Sequence, residues 1–152
     1  MKKKAPAACN VPAICAAGFL LAAALGAQEG SIVAKDAWAR VPLPSQNDIA
    51  VFLVLENHTG EKRTIVSVSS DAASSGEIHE MIMQRAVMKM VPVARVTVGA
   101  HGKKSFDPND LHIMLFGLKK KPSVGDTITL TLKMDDGTSV PVTATFRKYA
   151  SN

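Results

Sequence analysis

Nine short runs of alternating or β-branched apolar residues, at 32–40, 50–57, 63–69, 77–83, 87–91, 95–98, 111–115, 127–133 and 139–146, are broken by turn-forming residues at intervals of about ten residues. No segment carries the apolar period of a long amphipathic helix. The breaks have their own chemistry. Asn57-His58-Thr59-Gly60, Asp107-Pro108-Asn109-Asp110, Gly125-Asp126 and Asp135-Asp136-Gly137 can each bend the chain through Asx bonding, proline's fixed φ or glycine's freedom. This rhythm predicts a single all-β domain, a sandwich or barrel, with Trp38, Phe52, Phe116 and Phe146 in its core.

The first residues follow a different logic. Met1-Lys2-Lys3-Lys4 is a positive n-region, and Ile14 to Leu25 is an uncharged apolar stretch ending in small residues. Together they read as a cleaved signal peptide over 1–27, with cleavage near Gly26 or Ala27, and leave 28–152 as one mature domain. The apolar stretch is shorter than the ~20 residues of a membrane span. Removing the leader takes three lysines and no acids, so the net charge falls from +5 to about +2, 15 Lys and Arg against 13 Asp and Glu. A nucleic-acid partner loses its main support, because that function needs a clustered basic face. The remaining cluster, Lys119-Lys120-Lys121, reads as a solvated turn.

Both cysteines, Cys9 and Cys15, fall in the leader, and neither follows the small-residue run of a lipid-attachment site. The mature domain therefore has no thiolate. Cysteine catalysis, disulfides, structural zinc and blue-copper electron transfer are excluded together.

Methionine is dense where cysteine is absent. Met81, Met83, Met88, Met90 and Met114 lie within a short stretch, against Met134 alone elsewhere in the mature chain. Residues two apart in a strand share a face, so His79 aligns with Met81 and Met83, Met88 with Met90, and His112 with Met114. A hairpin through Gln84-Arg85-Ala86 would bring the first two groups together. Thioether sulfur is neutral and polarizable, imidazole is a borderline donor, and the pair selects Cu(I). Zinc seldom accepts methionine, and calcium and magnesium need oxygen donors, whereas the acids here are dispersed. Because imidazole must be neutral to bind, affinity should weaken in acid. An enzyme reading would start from His79-Glu80 as the opening of a zinc-protease helix, but that motif needs a second histidine at Met83 and a helix in place of a strand. An exported metal-free adhesion or assembly module is the remaining alternative.

These residues resemble a family, the periplasmic copper chaperones called PCu(A)C, whose motif is His, ten residues, Met, twenty-one residues, His, one residue, Met. His79, Met90, His112 and Met114 match it throughout. Ala37-Trp38-Ala39-Arg40, Leu55-Glu56-Asn57, His79-Glu80-Met81, Val87-Met88-Lys89-Met90 and His112-Ile113-Met114-Leu115-Phe116-Gly117-Leu118 extend the likeness over nearly the whole mature chain. The resemblance implies a cupredoxin-like (Ig-like) β-sandwich, without enzymatic activity. It would carry Cu(I) in the periplasm to an acceptor, the copper subunit of cytochrome c oxidase, and act as a monomer. His79, Met90, His112 and Met114 would be the ligands, with Met81, Met83 and Met88 as supporting or alternate donors. His58 and His101 match no ligand position and read as turn residues. Two departures stand out. Gln84-Arg85-Ala86 replaces the Asp-Gly or Asn-Gly turn of relatives, so a different loop geometry is expected, and the chain ends without a His/Met-rich tail, so a second, Cu(II) site is not expected.

Overall fold

The computed structural model describes residues 30–148; the leader, its cysteines and the last four residues lie outside them. Ten strands follow in order: β1 Ile32–Arg40, β2 Ile49–Asn57, β3 Arg63–Ser69, β4 Ser75–Gln84, β5 Val87–Pro92, β6 Val96–Val98, β7 Lys103–Phe106, β8 Leu111–Phe116, β9 Thr127–Met134 and β10 Ser139–Arg147. Nine coincide with the predicted runs to within two residues at each end. The tenth, β7, went unpredicted because Lys103-Lys104-Ser105-Phe106 offers one buried apolar residue; its main chain pairs with Leu53–Glu56 of β2 regardless.

The strands connect side by side as β5-β4-β8-β2-β1-β10-β9-β3-β6, and a β3–β4 bridge at Val68 and Gly76 joins the two halves of this path. All ladders are antiparallel except β1 with β10. The result is the cupredoxin-like β-sandwich. β1 makes the turn between neighbours possible: its register with β2 shifts between Lys35 and Trp38, and Asp36 there has φ of 52°, the signature of a bulge that bends a strand.

One core lies between the halves. Ile128, Leu130, Leu132 and Met134 of β9 and Val140, Val142, Ala144 and Phe146 of β10 point inward at strict period two. They meet Val51, Leu53 and Leu55 of β2, Ile78 of β4 and Ile113 and Leu115 of β8. Strands with one face in this core and the other outward are what the alternating pattern requires.

Of the four aromatics assigned to the core, Phe146 belongs to it. Phe52 is buried but on the opposite face of β2, where it stacks on half-buried Trp38 at 4.5 Å between centroids. Phe116 also faces that side. Apolarity in sequence marks a residue as shielded, but only the parity of its strand position says from which side.

The β4–β5 hairpin corrects a second expectation. Gln84 pairs with Val87, so the loop is the two residues Arg85 and Ala86, with φ of 52° and 64°. Positive φ at both positions is the type I′ geometry that Asn-Gly would also give. The strand twist demands this turn, and the residues present comply with it. The lysine run is exposed as expected, yet Lys119 donates to the Asp71 carbonyl and Lys121 to the carbonyls of Pro44 and Gln46, tying two loops together. His58 and His101 lie in turns, both exposed.

Candidate metal site

Three neighbouring strands, β5, β4 and β8, set the register of the site. His79 pairs with His112, Glu77 with Met114, Met81 with Met90 and Met83 with Met88. Directly opposed residues point to the same side of a sheet. All eight side chains therefore share the face opposite the hydrophobic core, next to Phe52 and Trp38.

The two histidines are buried, at 8% and 4% exposure, although they do not face the core. Aromatic rings close around them. Phe52 lies 6.3 Å from the His112 ring, Phe116 lies 5.8 Å from the His79 ring, and the two imidazoles are 6.2 Å apart at an angle of 62°.

Hydrogen bonding assigns each ring a tautomer. The Nδ1–H of His112 donates to the Asp110 carbonyl at 3.0 Å. A carbonyl only accepts, so in the neutral ring Nε2 keeps its lone pair, and that atom lies 3.1 Å from the sulfur of Met90. On His79 the roles are reversed. Its Nε2 donates to Glu77 Oε2 at 3.0 Å, leaving Nδ1 as the lone-pair nitrogen, and Nδ1 is buried with no hydrogen-bond partner. A buried acceptor without a partner costs about 1–3 kcal/mol, which a cation beside it would offset.

Met90 is half exposed, so the thioether forms the outer wall of an otherwise buried donor set. Met114 is partly buried one strand step beyond His112, between Glu77 and Ala50 in register. Met81, Met83 and Met88 continue outward along the hairpin, Met81 partly buried and the other two exposed. Among the described residues no group of three or more His, Cys, Asp or Glu gathers to hold a metal. The donors that do gather are imidazole nitrogen and thioether sulfur, a set that fits a soft monovalent ion and no hard one.

Glu77 escaped the sequence reading. It stands two residues before His79, and the same period-two rule that aligned His79 with Met81 would have placed it on this face. The Asp110 carbonyl left no such signal, since backbone acceptors are invisible in sequence.

Comparison with known proteins bears on this arrangement. Residues 32–146 match the LpqE-like family, whose description is of lipoproteins. The solution structure of Cu(I)-bound DR1885 from Deinococcus radiodurans is similar over 84% of this chain and 85% of its own, at 31% identity and a TM-score of 0.62. The chain belongs to the LpqE-like family. A copper-bound PCu(A)C domain from PmoF2 matches 79% of this chain and 95% of its own with a TM-score of 0.66; at 18% identity that likeness speaks for the fold alone. Protein RP573 of Rickettsia prowazekii is 31% identical over 105 residues and Lxx21020 of Leifsonia xyli 26% over 126. The matches span 58% and 75% of those two relatives' lengths. Within the PCu(A)C fold, the buried histidine pair and the thioether at its outer wall are donors of the kind that suit a soft ion.

Proposed function

We propose that the protein is an exported carrier of one Cu(I) ion, held by Nδ1 of His79, Nε2 of His112 and the sulfurs of Met90 and Met114, and passed intact to an acceptor protein. The observation that carries the reading is the approach of two electron-pair donors, His112 Nε2 and Met90 Sδ, to 3.1 Å, beside the partnerless Nδ1 of His79. The Cu(I)-bound relative supports the choice of ion.

Transfer on this reading is ligand exchange without catalysis. The histidines sit deep on rigid strands, and Met90 lies at the surface where an incoming ligand can displace it first. The acceptor is the copper site of cytochrome c oxidase and the compartment is the periplasm, with the carrier acting as a monomer. The lipoprotein description of the family supports export.

Anaerobic titration with Cu(I) against a competing chelator tests the site. One tightly bound equivalent is expected in the wild type, abolished by Met90→Leu together with His112→Ala. A wild-type protein that binds no Cu(I) would be the metal-free assembly module instead.

A further inference from the structure

The hairpin β4–β5 carries more sulfur than the histidine site uses. Beyond the His79–Pro92 pair, every position on this face of the hairpin is methionine: Met81 opposite Met90, then Met83 opposite Met88. Direct cross-strand partners have Cβ atoms about 5 Å apart, and the diagonal from Met81 to Met88 is about 7–8 Å, within reach of long side chains. Methionine, with three rotatable bonds, can close that distance.

Core packing does not account for these residues. Met83 is 66% exposed and Met88 46%, and β5 is the last strand of its half of the sheet. Edge strands are normally blunted with charge, because exposed apolar edges invite pairing with other chains. Here the charged residue, Lys89, is on the other face and donates to Gln84 at 2.7 Å. A surface needing only apolarity could use leucine or valine. This face uses thioether at all four positions.

We propose that Met81, Met83 and Met88 form a second, all-thioether station for Cu(I) at the hairpin tip, which exchanges its ion with the histidine site by way of Met90. The proposal rests on the Cu(I) reading above and adds a binding site to it. Three neutral soft donors suit a monovalent d¹⁰ ion. Lacking imidazole, the station binds less tightly than the buried site and is the part an acceptor reaches first. In the exchange, copper–nitrogen bonds break as copper–sulfur bonds form, and the ion remains Cu(I) throughout.

The test is an anaerobic titration of the full chain with Cu(I), repeated with Ag(I) as a redox-inert probe, and X-ray absorption of each loaded state. The wild type is expected to take a second equivalent at least tenfold weaker than the first. His79→Ala with His112→Ala should keep one equivalent with sulfur-only scattering. Met81→Leu, Met83→Leu and Met88→Leu combined should keep the first equivalent and lose the second, and circular dichroism checks that this exposed, volume-conserving variant is folded. The proposal is overturned if the wild type saturates at one equivalent, if the triple variant still takes two, or if the histidine variant takes none. A wild type that takes none overturns the carrier reading as well, so the two failures are distinguishable.

Discussion

His79 and His112 are cross-strand partners with different nitrogens left unprotonated in their neutral rings, because each has its other nitrogen engaged. The group that orients His112 is a backbone carbonyl, which mutation does not easily remove. The group that orients His79 is the Glu77 side chain, at 3.0 Å. Partners of this kind hold the ring angle and tautomer of a metal-binding histidine, and losing them typically lowers metal affinity 10–100-fold. Glu77→Ala is therefore expected to weaken Cu(I) binding by roughly tenfold. Glu77→Gln should recover most of the loss, since its amide oxygen still accepts from Nε2–H. Chelator competition on both variants measures the difference. Equal losses in the two would mean that the carboxylate acts through charge and not through orientation.

The β4–β5 hairpin is the element on which the site depends most, since β5 contributes Met90 and, among the described residues, its strand pairing is with β4 alone. Its turn places two non-glycine residues, Arg85 and Ala86, in the left-handed region. That conformation costs an L-residue roughly 1–2 kcal/mol. The fold tolerates it because six residue pairs from His79–Pro92 to Gln84–Val87 align the strands on either side. Replacing Arg85→Asn and Ala86→Gly should relieve the strain and raise the unfolding free energy by about 1 kcal/mol, read as a higher midpoint in urea. An unchanged or lower midpoint would show that the gain is offset by the wider conformational freedom of the unfolded Gly variant. At this scale the sequence was most legible: period two identified nine strands and grouped the methionines by face. It failed at β7, whose pairing comes from main-chain hydrogen bonds to β2, and at the turn, where residue preference yielded to strand twist.

Across the whole molecule, electrostatics adds little to a core that spans both halves of the sandwich, but two paired carboxylates give stability a small dependence on acid. The ion pair with Lys35 at 2.7 Å holds the Glu56 carboxyl below its ordinary value. The Thr138 amide, helped by Arg63, does the same for Asp136. A carboxyl whose folded value is depressed binds its proton more readily when unfolded. Its contribution is thus present above the unfolded value and is lost as pH falls through the folded one. Urea midpoints should accordingly be level near neutrality and fall as pH drops through and below the ordinary carboxylate range. Glu56→Gln should flatten part of that fall. Asp136 is exposed and Glu56 only partly buried, so solvent screening keeps the effect small.

The sequence by itself determined the strand periods, hence which side chains share a face, and it determined the soft-donor chemistry, since residues 28–152 hold histidine and methionine but no cysteine. Tertiary structure decided which faces meet. β8 comes to lie beside β4, so that His79 pairs with His112 and the hairpin delivers Met90 to within 3.1 Å of His112. It also decided the tautomers, through one carboxylate and one carbonyl. Strand pairing between distant segments is settled by the packing of a shared core and not by local preference, so no window of sequence contains it.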